Sequence, residues 1–170
     1  MTTVVHSRLR ARGRPKTVQM GLELSATTRR QTRALLQLGL ALFLLALLVG
    51  VLVPRFSVPR LALSVHLLGV LQGTFLIAVS AGWSRLNFGR TTSWLAFWLL
   101  AYGCVAAWLA NLFGAYWGAG NTLLPMAAGS AHGSALQEWV IVVLLRSSAV
   151  ALVVALVLAL RASLRTSAAE

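Results

Sequence analysis

Few residues in this chain have the chemistry to do more than fill space, and most of them lie close together. The stretch from Ser130 to Trp139 holds His132, Gln137 and Glu138. Glu138 is the only acid between Glu23 and Glu170 in a chain with three acids. His66, Gln72 and Asn111 interrupt runs that are otherwise apolar. A carboxyl and two imidazoles can give and take protons near neutral pH, and amides can hold a hydroxyl group in place. Trp108, Tyr116, Trp117 and Trp139, with Phe113, add aromatic faces. Such rings form a membrane-interface belt or line a slot for a planar ligand, where a cationic intermediate gains from cation–π contact.

The elements that must position these groups are membrane helices. Apolar residues make up 58% of the 170 residues, too many for an ordinary soluble domain of this length. Four apolar runs, 34–53, 61–83, 94–117 and 136–160, are each about 20 residues or longer, enough to cross a hydrocarbon layer roughly 30 Å thick. Pro54 and Pro59, then Arg85 to Arg90 with Gly89, then Gly118 to Ser134 with Pro125, punctuate them. The first run lies too deep in the chain to be a cleaved signal peptide. The expected fold is all-α, an integral membrane four-helix bundle. It comprises a basic, disordered segment over 1–33, the helical domain over 34–160, and a tail over 161–170.

Charge sets the expected orientation. The formal net charge is +12, from fifteen Lys and Arg against three acids. If four helices alternate, twelve cations fall on the side of both termini and two, Arg55 and Arg60, on the other. That asymmetry predicts N-in/C-in, with both termini cytoplasmic in a bacterial inner membrane. It also argues against specific nucleic-acid binding, because the cations sit in breaks between spans and not across a polar fold. The Arg8–Lys16 stretch reads as a topology anchor or as a patch attracted to anionic lipid. The single cysteine, Cys104, excludes a disulfide framework and a Cys-rich metal site.

Depth brings the polar groups together. His66 falls roughly 8 Å below the outer boundary and Asn111 roughly 9 Å, at 1.5 Å per residue. Gln137 and Glu138 fall just inside that boundary, with His132 in the loop above. Ionisable groups at such depths avoid lipid and are functional candidates. Gly69 and Gly73 on one helix, and Ala106, Ala110, Gly114 and Gly118 on the next, are small-residue seams that point to close helix packing and to a homo-oligomer. Arg146 lies near the midplane; Gln72, Ser147, Ser148 or a second protomer are its expected partners.

The run LSVHLLGVLQGTFLI over residues 63–77 resembles the second-helix signature of the hydroxylaminobenzene mutase family. Ala101-Tyr102-Gly103, Trp108-Leu109-Ala110-Asn111, Trp117-Gly118-Ala119-Gly120 and Leu124-Pro125-Met126-Ala127 extend the resemblance, and His132 with Gln137-Glu138 completes it. It covers roughly residues 36–160. The family pattern has an acid where this chain has Leu68 and Asn where it has Gln72. The resemblance implies a small four-helix membrane isomerase of bacterial nitroaromatic breakdown, which rearranges an aryl hydroxylamine to an ortho-aminophenol without an organic cofactor. On that reading Glu138 is the general acid, because partial desolvation favours its protonated form. His132 or His66 relays the proton. Trp108 and Trp117 stabilise positive charge on the ring, and Asn111, Gln137 and Gln72 hold the substrate and the migrating hydroxyl.

Two other classes fit less of the pattern. A small proton-coupled transporter of aromatic or amphiphilic molecules needs an embedded acid, but here the first span offers only Gln37. A b-type haem protein would use His66 and His132 as axial ligands. A purely structural subunit is the remaining reading.

Overall fold

The computed structural model describes the backbone of residues 16–167 and the side chains of residues 25–165. Five α-helices follow one another: α1 (Lys16–Leu52), α2 (Pro59–Trp83), α3 (Arg90–Trp117), the short α4 (Pro125–Ala128) and α5 (Ala135–Ser167). No strand occurs among the described residues. α1, α2, α3 and α5 are each long and apolar enough to cross a membrane, and the fold is an all-α membrane bundle.

The breaks form where the sequence removes helical options. Pro54 lies in a short 3-10 turn, Val53–Arg55, that ends α1. Pro59 opens α2 at its first helical position, where a missing N–H costs nothing. Gly118 stops α3 in the left-handed region, with φ of 67°, and its N–H donates to the Gly114 carbonyl. Few other residues adopt that backbone without strain.

Two boundaries differ from expectation. α1 begins at Lys16, so residues 16–33, expected to be disordered, are helical. Residues 1–15 lie outside the described residues. α5 runs on to Ser167, so most of the expected tail is also helical. Both extensions carry arginines, which form helices readily and continue them beyond the apolar stretch.

Neighbouring helices pair in chain order. α1 packs chiefly on α2, α3 chiefly on α5, and the two pairs meet along α2 and α3. Small residues permit the closest crossings. A Cβ added to Gly39 would lie 2.8 Å from the Gly73 carbonyl oxygen, and one added to Gly73 would lie 2.8 Å from the Gly39 oxygen. A Cβ on Gly103 would come within 2.6 Å of Leu152. Both seams expected to mark contacts between copies are therefore filled within one chain. Gly69 and Gly73 face α1, and Ala106, Ala110 and Gly114 are buried.

At the end carrying both termini, a buried polar knot joins three helices. Gln31 Oε1 accepts from Trp83 Nε1 at 3.2 Å and from Ser93 Oγ at 2.7 Å, while its amide donates to the Ser93 carbonyl at 3.4 Å. With this end tied, the register of α1, α2 and α3 is set towards the opposite, loop end.

Candidate active site

The polar groups singled out from the sequence fall into two sets with different hydrogen bonding. The first lies at the loop end. Ser134 precedes α5, and its N–H donates to Gln137 Oε1 at 2.8 Å while the Gln137 N–H donates back to Ser134 Oγ at 3.4 Å. This reciprocal capping box satisfies two helix-terminal donors and engages the Gln137 side chain.

Glu138 is engaged further still. Its Oε1 accepts from the backbone N–H groups of Gly120 at 2.7 Å, Asn121 at 3.2 Å and Gly133 at 3.4 Å. Its Oε2 accepts from the Thr122 N–H at 3.2 Å and the Thr122 hydroxyl at 3.0 Å. Five donors around one carboxylate make a clip that draws the 118–124 loop and the residues before α5 onto the start of that helix. Every partner is a donor, an arrangement suited to the ionised group and opposite to the protonated general acid expected from desolvation. His132 is exposed in the neighbouring loop. Glu138, Gln137 and His132 therefore hold or border the loop structure.

The second set lies deeper, where α1, α2 and α3 meet. Gly69 marks the junction: a Cβ there would lie 2.6 Å from Ala46 Cβ on α1 and 2.6 Å from Trp108 Nε1 on α3. One turn away on α2, the His66 ring crosses to α1, with Nδ1 2.8 Å from the Ala46 carbonyl oxygen. A carbonyl can only accept, so Nδ1 carries the proton and Nε2 is the nitrogen left for chemistry. Gly50 makes room for the ring, since a Cβ there would sit 2.6 Å from Nδ1.

Two buried polar atoms of α2 and α3 have no partner: Trp108 Nε1, a donor that lies against Gly69, and Gln72 Oε1, an acceptor three residues further along α2. Their side chains are only 6% and 8% exposed. Buried groups of this kind are normally paired, and leaving one unpaired costs about 1–3 kcal/mol. Each is a group that a polar ligand can satisfy. Asn111, also buried, donates to the Ala107 carbonyl one turn back at 2.9 Å. Cys104 lies on the same face of α3 and is buried.

Several expected pairings are absent. Trp117 stacks on Phe113, with ring centroids 4.9 Å apart and planes 16° apart, near the end of α3. Nine residues separate it from Trp108, about 13 Å along the helix and half a turn around it, so the two rings do not wall one slot. Gln72 does not pair with Arg146, since its Oε1 has no partner. Arg146 instead lines an open groove with Tyr102 and Ser147, whose hydroxyls lie 2.7 Å apart. Ser148 bonds the Leu145 carbonyl of its own helix at 2.8 Å. No cluster of three or more His, Cys, Asp or Glu occurs among the described residues.

Sequence reasoning missed the α1 side of the junction. Gly39, Ala46 and Gly50 are three of the small residues in a leucine-rich run that also holds Ala34 and Ala41, and they are spaced seven and four apart. That spacing puts them on one helical face, and it was the available signal for where α2 packs.

A sequence profile of the styrene oxide isomerase family matches residues 31–164. The chain is 45% identical over 141 residues to hydroxylaminobenzene mutase HabB of Ectopseudomonas oleovorans, covering 83% of this chain and 86% of that protein. It is 42% identical over 109 residues to hydroxylaminobenzene mutase HabA of the same organism, covering 64% and 81% respectively. No solved structure matches the chain significantly.

Proposed function

The chain belongs to the styrene oxide isomerase family and is an isomerase, and from that premise we propose that it rearranges an aryl hydroxylamine to an ortho-aminophenol at the α1–α2–α3 junction. The observation that carries the reading is a pair of unpaired buried groups, Trp108 Nε1 against Gly69 and Gln72 Oε1 three residues further along α2, the helix that also carries His66.

The N-hydroxyl is a poor leaving group until its oxygen is protonated. His66, protonated at both nitrogens, delivers the Nε2 proton to that oxygen. The N–O bond then breaks with its electron pair going to oxygen, which leaves water and a positive charge shared by nitrogen and ring. The Trp108 N–H and the Gln72 carbonyl hold this water near the ortho carbon, and the Trp108 ring stabilises the charge. Water attacks that carbon and returns one proton to His66, and the hydrogen displaced from the carbon moves to nitrogen. One proton is taken up and one released, so the product is an isomer. Glu138 enters no step; it shapes the loop above the junction.

The membrane is a bacterial plasma membrane with both termini cytoplasmic, a reading supported by the twelve-to-two distribution of cations. The protein acts there as a homo-oligomer. With the small-residue seams filled internally, the support for this is the exposed Arg146, whose guanidinium gains acceptors if a second copy covers its groove.

The test adds phenylhydroxylamine to the detergent-purified full chain, with and without His66→Ala, and follows 2-aminophenol by chromatography. Turnover by the parent, abolished in a His66→Ala protein with an unchanged gel-filtration profile, is expected. Absence of turnover by the parent sinks the reading. Styrene oxide is then the substrate to try, and proton-driven uptake into vesicles tests the transporter alternative.

A further inference from the structure

Cations gather at the end of the bundle that carries the termini, and Glu138, the one acid whose side chain is described, lies at the other end. Two of these cations frame a cavity. Arg161 and Arg165, one turn apart on α5, line a space of about 150 Å³ together with Asn87 and Thr92, which flank the start of α3. Both arginines are exposed and have no partner among the described residues. The start of α3 has no side-chain cap, so its first N–H groups add to the positive potential there. The remaining wall is apolar, formed by Phe88 and by Leu158, one turn towards the membrane interior.

From this arrangement we infer that the α3–α5 cavity binds the phosphodiester headgroup of an anionic phospholipid. Two guanidinium forks, a hydroxyl and an amide supply the donors that phosphate oxygens accept. The cavity sits where the apolar span of α3 begins and that of α5 ends, so a lipid headgroup at that boundary is within reach of it. Leu158 offers a wall for an acyl chain, which a free phosphate ester lacks. Basic pockets between membrane helices at a boundary are suited to such headgroups. The site lies at the opposite end from the His66 junction and does not depend on the reaction proposed for it.

The test is native mass spectrometry of the full chain in detergent, mixed with equal amounts of phosphatidylglycerol and phosphatidylcholine. The parent is expected to retain phosphatidylglycerol preferentially. Arg161→Gln with Arg165→Gln is expected to lower that retention at least tenfold, with phosphatidylcholine unchanged. Arg29→Gln with Arg33→Gln removes the same charge from α1 and is expected to alter retention less than twofold. Equal losses in the two double variants would mean diffuse attraction and overturn the site. Displacement of the lipid by soluble glycerol 3-phosphate at millimolar concentration would assign the cavity to a free phosphate ester and overturn the lipid reading. Where the Gln pair fails to fold, Arg161→Lys with Arg165→Lys is read instead. A two- to fivefold loss supports forked recognition, and unchanged retention overturns it.

Discussion

The loop-end clip at Glu138 and the junction at His66 hold much the same kinds of polar side chain in opposite states. At the clip, one carboxylate takes five donors and Gln137 closes a reciprocal box with Ser134. At the junction, a tryptophan N–H and a glutamine carbonyl are buried with no partner, and the imidazole uses one nitrogen of two. A satisfied polar cluster lowers the energy of the folded chain, whereas an unsatisfied one raises it unless a ligand completes it. The position of an acid near a membrane boundary does not reveal which state it is in. Hydrogen bonds already made do.

Substitutions can separate the two regions. Glu138→Ala leaves four backbone N–H groups and a hydroxyl without their acceptor and is expected to cost about 2–4 kcal/mol of stability. Thermal unfolding in detergent measures this, and turnover per folded molecule should stay within threefold of the parent. A hundredfold fall in turnover with unchanged stability would return Glu138 to the role of acid and erase the contrast. Gly50→Ala acts on the other region without touching substrate. The new methyl meets the His66 ring and turns Nδ1 from the Ala46 carbonyl, with an expected 10- to 100-fold loss of kcat, about 1.4–2.8 kcal/mol of barrier. A fall of a few degrees in melting temperature should accompany it, since the displaced ring loses a hydrogen bond worth about 1 kcal/mol.

Trp108→Phe keeps a ring in the junction and removes only the unpaired N–H. Without substrate this should leave stability unchanged or slightly raised, because a buried unsatisfied donor is lost. With substrate, about a tenfold fall in kcat/KM is expected, and loss of stability with unaltered kinetics would show that the N–H serves folding alone. The smallest effect belongs to Gln137→Ala, about 1 kcal/mol from the capping box. Its turnover should match the parent, which stopped-time product assays at matched folded concentration can resolve.

Much of this architecture is legible along the chain. The apolar runs, the prolines at 54 and 59 and the glycine at 118 locate the crossing helices to within a few residues, because helix length and termination are local properties. The arginine-rich starts and ends are less legible. Residues 16–33 look too polar to belong to a membrane helix, yet they continue α1 once its apolar part has nucleated it. At the site, depth along each helix groups His66 and Asn111 with Gln137 and Glu138, and puts Gln72 deeper, level with Arg146. It cannot separate His66 and Asn111 from Glu138, because depth counts residues while the carboxylate takes most of its donors from the loop after α3. Gln137 is separable, since Ser134 and Gln137 have the spacing of a capping box.

The sequence by itself determined four membrane-crossing helices, where they stop, and the isomerase family that the motifs of α2 and α3 resemble. These follow from hydrophobic length, from proline and glycine geometry, and from residue identity. Only the tertiary structure decided what each polar group meets. The Glu138 carboxylate finds its donors 5 to 18 residues earlier in the chain, and His66 reaches a carbonyl 20 residues away across a helix seam. Hydrogen bonds are short and directional, so apart from local caps such as Ser134 with Gln137, which groups are satisfied is fixed when the helices pack.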